Sequence, residues 1–231
     1  MKFLVIGLGI YGSNLAIDLT DMGHEVVGVD IKSSNVENVK DYISTAYIID
    51  ASDEQALSVL PLKSVDAVIV AIGENFGASV KTVALLKKMG IQHIFARAID
   101  TLHQSILEGL NVERILTPEQ RAAKDLAREL KLGSHIETLA INDDSYVMKF
   151  QAPEYFVGLR YAELDIVKRF NLVLIVATRC ERNSNILGLS RDEYKIIDIT
   201  VPDAEVKSGD IFTCYGTGYD FKSMMKKIAR Y

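Results

Sequence analysis

The chain has 231 residues, 48% hydrophobic and 25% charged, with a formal net charge of −5. This composition excludes a disordered chain and suffices for one large domain or two small ones with real cores. The acidic balance argues against a general polyanion-binding surface, so nucleic acid is not an expected partner.

Up to about residue 116, short apolar runs alternate with amphipathic segments. Phe3–Ile6, Glu25–Val29, Thr45–Ile49, Ala67–Ala71, His93–Ala96 and Arg114–Leu116 read as strands apolar nearly throughout, as strands covered on both faces are. A helical pattern over Asn14–Leu19 stops at Gly23, and another over Ser79–Met89 stops at Gly90. Asp53 is placed to cap a helix over Glu54–Leu60. Strand and helix in regular succession predict a doubly wound parallel sheet.

Past Pro118 the rhythm changes. Glu119–Leu130 reads as one amphipathic helix, with Ala122, Ala123, Leu126, Ala127 and Leu130 on one face and Gly133 closing it. A linker or dimerisation arm and a plain closing helix fit it equally. Thr138–Ile141, Tyr146–Phe150, Leu172–Thr178, Ile196–Val201 and Asp210–Tyr215 read as strands, and Tyr161–Phe170 and Asp220–Ile228 as helices. The expected organisation is a Rossmann-like α/β domain over 1–116, a crossover helix over 117–136, and a small α+β regulatory or pairing domain over 137–231.

Cys180 and Cys214 are the only cysteines, too few for a disulfide framework and not spaced as a metal or redox pair. No signal peptide or membrane-length apolar run is visible, so a cytoplasmic protein is expected, reaching a membrane only through a partner.

Gly7-Leu8-Gly9-Ile10-Tyr11-Gly12 follows the first strand and opens a helix, the context that gives a G-x-G-x-x-G run meaning. Gly7 permits the tight turn, Gly9 admits a phosphate to the backbone, and Gly12 lets helix and strand pack closely. The helix N-terminus offers unpaired amides and partial positive charge. Asp30 ends the second strand, where a carboxylate accepts ribose hydroxyls and disfavours a 2′-phosphate. Asp50, Ala51, Ser52 and Asp53 follow the third strand, and Ala71, Ile72, Gly73, Glu74 and Asn75 the fourth. Both loops belong to the crevice at the strands' carboxyl ends, although turn chemistry and capping account for Asp50 and Ser52 nearly as well. Arg97, between Ala96 and Ala98, is a buried-looking cation that a phosphate or an intersubunit carboxylate would explain. With Ile31 and Lys32 beside Asp30, these residues form the expected adenosine-ligand site.

Gly7–Gly12, Asp30, Asp50–Asp53, the run Ala71–Phe76 with Ala78-Ser79-Val80, and Ala96-Arg97-Ala98 together resemble the regulator-of-potassium-conductance family, with its TrkA-N and TrkA-C domains. The resemblance is strongest to the cytosolic Ktr and Trk uptake regulators, of the KtrA and TrkA types. Thr117-Pro118-Glu119 matches the family's crossover, and Val206–Asp210 with Gly216 its small C-terminal domain. The resemblance implies dimers assembled into an octameric ring against a potassium-translocating membrane subunit. It further implies gating by exchange of ATP, ADP, NAD or NADH on the glycine turn, a divalent cation held partly by Glu119, and cyclic di-AMP at the C-terminal dimer interface. One residue departs from the pattern. KtrA-type members carry an arginine at the fourth turn position, reaching a neighbouring subunit's γ-phosphate, where this chain has Ile10. Arg97 and Lys32 are the cations left for that role.

The alternative of a small NAD-dependent oxidoreductase needs an acid or base near the nicotinamide. His24, His93, His103 and His135 occur singly, most in expected surface or strand-end positions, and no catalytic motif accompanies them, so no enzyme activity is expected. A nucleotide-sensing transcriptional regulator needs a basic recognition helix. Lys222, Lys226, Lys227 and Arg230, interspersed with Met224, Met225 and Ile228, instead read as a helix with one apolar and one basic face, which could lie near anionic lipid headgroups.

Overall fold

A computed structural model of the protein describes residues 1–132, 136–184 and 190–229. Gly133, His135 and Arg230 lie outside the described residues. Contacts divide the chain into two compact units, Met1–Arg121 and Ala122–Tyr231.

The first unit holds six parallel strands: β1 (Lys2–Ile6), β2 (Glu25–Asp30), β3 (Thr45–Ile48), β4 (Ala67–Val70), β5 (Ile94–Arg97) and β6 (Arg114–Leu116). Their order across the sheet is β3-β2-β1-β4-β5-β6. Successive side chains alternate between faces. Leu4, Ile6, Val27, Val29, Val68 and Val70 therefore enter one core, while Val5, Val26 and Ile69 enter another on the opposite face. Two buried faces explain strands apolar at nearly every position. The chain leaves β1 for β2 on one side and reaches β4 on the other, so the strand order reverses at the carboxyl end of β1. Ligand crevices of such sheets lie at that point.

The connecting helices are α1 (Ile10–Asp21), α2 (Ser33–Val39), α3 (Glu54–Ser58), α4 (Phe76–Lys88) and α5 (Thr101–Gly109). Asp53 caps α3 as expected, its carboxylate accepting from the Gln55 and Ala56 amides. Two helices escape the sequence pattern. α2 is short and buries only Val36 and Val39, and α5 is capped by Asp100, whose side chain accepts from the His103 amide. Helix α6 (Pro118–Leu132) follows β6 and leaves Leu126 55% and Leu130 70% exposed, so no described residue covers its apolar stripe.

The second unit is a five-stranded antiparallel sheet in the order β10-β9-β11-β8-β7. Its strands are β7 (Glu137–Ala140), β8 (Ser145–Gln151), β9 (Val173–Ser184), β10 (Ser190–Ile197) and β11 (Ile211–Thr217). Helices α7 (Ile166–Phe170) and α8 (Gly218–Ile228) contribute Phe170, Phe221 and Met224 to a core with Phe150, Phe156 and Phe212.

Two expectations fail here. Tyr161–Phe170 is not one helix but a 3-10 turn over Tyr161–Glu163 followed by α7. Asp165 between them adopts a left-handed backbone (φ 47°) that interrupts the helix. The strand expected over Ile196–Val201 runs instead from Ser190 to Ile197, because it pairs back onto β9, with Ile197 opposite Ala177. Asp210 stays just outside β11, fully buried, with its carboxylate accepting from Arg179 Nε (2.6 Å) and Nη2 (2.7 Å), the Tyr161 hydroxyl (2.8 Å) and the Lys207 amide (2.8 Å). Burial works against the charge of Asp210, but the hydrogen bonds from Arg179, the Lys207 amide and Tyr161, together with the Arg179 charge, outweigh it and hold the carboxyl below its usual range.

Candidate nucleotide site

At the end of β1 the chain turns through Gly7, whose φ of +95° is open to glycine and strained for other residues. A Cβ on Gly7 would sit 2.9 Å from the Ile72 nitrogen, and one on Gly12 would sit 1.8 Å from the Gly7 oxygen. The fold itself therefore requires both glycines. Gly9 differs. It has ordinary backbone angles (φ −68°), and a Cβ there would meet nothing within 4 Å. No contact among the described residues explains a glycine at that position. It sits at the N-cap of α1, whose first turn has no side-chain cap and no acid. Uncapped amides opening onto free space are what a phosphate requires.

Asp30, 9% exposed, fixes this turn from β2. Its Oδ2 accepts from the Leu8 amide (2.7 Å) and Asn35 Nδ2 (3.0 Å), and Oδ1 from the Lys32 amide (2.7 Å). A carboxylate offers about four lone-pair sites. Three are taken within the protein, which leaves room for one further donor such as a ribose hydroxyl. Ser13 Oγ pins the other side of the turn by donating to the Leu8 oxygen (2.7 Å). Neither Ser13 nor Asn35 is marked out by the motif. Their only signal is a small polar residue in the first turn of a helix that follows a ligand-bearing loop.

The loop after β4 lies beside the turn, with the Ala71 amide bonded to the Ile6 oxygen (2.7 Å). Asn75 caps α4 by accepting from the Ala78 amide (2.9 Å). The Arg97 guanidinium lies against Gly73, where a Cβ would sit 2.5 Å from Nη1. The Arg97 guanidinium sits 5.8 Å over the Tyr11 ring and donates through Nη2 to Glu119. Its Nε is buried without a hydrogen-bond partner among the described residues. The carboxylate seen beside Arg97 is thus one of its own chain. Glu119, read as a metal ligand by resemblance, is engaged by Arg97. Among the described residues no group of three or more His, Cys, Asp or Glu side chains is arranged to hold a metal.

Lys32 Nζ reaches Glu74 Oε2 at 2.6 Å, and this hydrogen bond raises the lysine's pKa. The other expected residues contribute differently. Leu8, Ala51 and Ala71 bury their side chains in the cores, so only their backbones can face a ligand. Ile72 packs partly against one core, while Ile10, 89% exposed, and Ile31 point to solvent. Asp50 accepts from the Ser52 amide (2.8 Å), and the Ser52 hydrogen bonds lower its pKa. This is the turn chemistry weighed from sequence, next to Ile49, whose amide bonds the Asp30 oxygen (3.0 Å).

One histidine keeps the expected exposed strand-end position and gains a partner there, and one is buried. His93 is paired, its Nδ1 2.6 Å from Glu113 Oε2, but at the amino ends of β5 and β6, opposite the crevice. His103 is fully buried, edge-on to Phe76 with ring centroids 4.9 Å apart, and burial lowers its pKa.

A glycine turn at a sheet's switch point, with an acid at the end of β2, defines a mononucleotide-binding unit of the doubly wound class. The TrkA-N domain model matches residues 3–118. The "Ktr system potassium uptake protein C" of Bacillus subtilis (strain 168) is 31% identical over 227 residues, 98% of this chain and 97% of that protein. The "Ktr system potassium uptake protein A" of the same organism is 30% identical over 174 residues, 75% of this chain and 78% of that protein. Among solved structures, the GsuK channel bound to NAD is 14% identical with a TM-score of 0.58, covering 98% of this chain and 39% of that one. That likeness concerns the fold. The chain belongs to the TrkA-N family, in its Ktr potassium-uptake branch.

Proposed function

We propose that this chain is a nucleotide-sensing regulatory subunit of a potassium uptake system, acting on a separate potassium-translocating membrane subunit. The observation that carries the nucleotide half is Gly9, a glycine with no steric reason among the described residues, at an uncapped helix start whose Leu8 amide meets Asp30 and whose Tyr11 ring lies under Arg97. Full-length similarity to a Ktr uptake protein carries the transport half. No helix among the described residues is long and apolar enough to cross a membrane, so translocation falls to the partner.

The adenine nucleotide, ATP, ADP or NAD(H), would place its phosphates on the Gly9 amide and the first turn of α1, with a ribose hydroxyl on the remaining lone pair of Asp30. Arg97 supplies a cation that Ile10 cannot. A ligand phosphate competing with Glu119 for Arg97 would free the first turn of α6, the helix that leads out of the nucleotide unit. Only a ligand that binds two conformations unequally shifts their balance, and this exchange offers such a difference. The exposed stripe of Leu126 and Leu130 supports pairing of subunits through α6. An oxidoreductase is the weaker reading, because the paired imidazole and carboxylate of His93 and Glu113 stand at the wrong end of the sheet for a nicotinamide.

The test is growth at limiting potassium in a strain lacking this protein. Wild-type protein should restore uptake and the Gly9→Val variant should not. Uptake unchanged by the deletion would overturn the transport half.

A further inference from the structure

The second unit contains a cavity of about 430 Å³ that shares no residue with the glycine turn. Its floor is apolar and well packed. Leu132 and Tyr146 are buried there, and a Cβ on Gly218 would lie 3.3 Å from Leu132 Cδ2 and 3.4 Å from Tyr146 Cε2. The Tyr146 hydroxyl is satisfied by the Asp143 oxygen (2.8 Å), which fixes the ring. Tyr219, 80% exposed, stands at the edge as a free aromatic surface.

The walls are cationic. Arg128 and Lys131 of α6 and Lys222 of α8 converge on the cavity, against the single carboxylate of Asp144. Elsewhere in this unit several cations pair with carboxylates, as in Lys149–Glu137, Lys168–Asp165, Arg179–Asp210 and Lys195–Glu181, whereas Arg169 donates to the Tyr155 hydroxyl and Lys227 lies over the Phe170 ring. Arg128 is held by Asp125 at 2.9 Å. Lys131 and Lys222 have no carboxylate partner among the described residues, although Asp144 lines the same space. Like charges gathered in one concavity repel at a cost that an anion removes. The volume lies within the range of small-molecule sites, which combine an apolar lining with a few converging polar groups.

We propose that this cavity is a second ligand site, for a small organic phosphate. Lys131 and Lys222 hold the phosphate as point charges, with Arg128 beside them, and the ligand's flat or apolar body lies against Tyr146 and Tyr219. Two unpaired lysines suit a dianion better than a single carboxylate. The apolar floor suits an organic ester better than inorganic phosphate, whose bare ion would leave the floor uncovered.

The probe is 1-naphthyl phosphate, titrated calorimetrically at millimolar concentrations into the full chain, with 1-naphthol and inorganic phosphate as comparisons. Saturable binding tighter than that of either comparison is expected. The Lys131→Gln/Lys222→Gln variant, altered only at exposed side chains, should weaken it by about tenfold or more. Tyr219→Ala should weaken naphthyl phosphate while leaving inorganic phosphate unchanged. Absence of saturable binding would overturn the proposal. So would undiminished binding to the double-lysine variant, or loss of binding in Gly9→Val alone, which would assign the phosphate to the glycine turn.

Discussion

Lys32 Nζ lies 2.6 Å from Glu74 Oε2, joining the segment after β2 to the segment after β4. Those strands flank β1 in the sheet, so the ion pair bridges past the strand end where the glycine turn begins. Both side chains are more than half exposed, and such solvent-screened pairs contribute little to stability. Glu74→Gln should therefore leave the melting temperature nearly unchanged. It should also release Lys32 toward a bound nucleotide, giving tighter and more salt-dependent binding in calorimetric titrations at two ionic strengths.

The glycines should separate by role. Gly12→Ala drives a Cβ into the Gly7 oxygen and should cost about 2 kcal/mol or more in urea denaturation, despite alanine's better helix propensity. Gly9→Ala meets nothing and should change stability by no more than about 0.5 kcal/mol.

Buried His103 should make stability depend on pH. Burial lowers its pKa in the folded state, so the folded protein resists a proton that the unfolded chain accepts below about pH 6.5. The stability this contributes is complete above that value and is lost as pH falls toward the depressed folded pKa. Melting temperatures across this window should decline for the wild type, with a shallower slope for His103→Phe.

Asp210 should matter on the acid side and for one unit only. Its lowered pKa means that its contribution is present above the unfolded value of about 3.9 and lost as pH falls below it. Asp210→Asn leaves Arg179 without its buried partner and should cost about 3–5 kcal/mol. Calorimetry should show the transition of the second unit shifting down while that of Met1–Arg121 stays in place.

The apolar stripe of α6 should report on assembly. Replacing Leu126 and Leu130 with Asp puts charge on a surface that is already exposed in the single chain. Light scattering should give a smaller particle for the double variant, with an unchanged fold by circular dichroism.

The parallel sheet was legible because strands buried on both faces leave an almost unbroken apolar signature, as in Leu4, Val5 and Ile6. The glycine turn was legible because its motif sits between strand and helix. Other features depend on contacts that one stretch of sequence does not encode. Arg97 meets Glu119 across 22 residues, and His103 is covered by Phe76 from another helix. The length of the β9–β10 hairpin was hidden because Arg179, Glu181 and Lys195 interrupt its apolar pattern. The Tyr161–Phe170 segment has helical spacing, but Asp165 breaks it with a backbone conformation that spacing does not reveal. The cation-lined cavity gathers Lys131 and Lys222 from two helices far apart in sequence.

The most direct measurement is calorimetric titration of ATP, ADP, NAD and NADH into the wild type and Gly9→Val. A Cβ at position 9 meets nothing within 4 Å among the described residues, so the variant should fold and melt like the wild type. At least one nucleotide should bind the wild type saturably, and none should bind Gly9→Val. Equal binding to both proteins, or binding to neither, would contradict the account of the glycine turn as a nucleotide sensor.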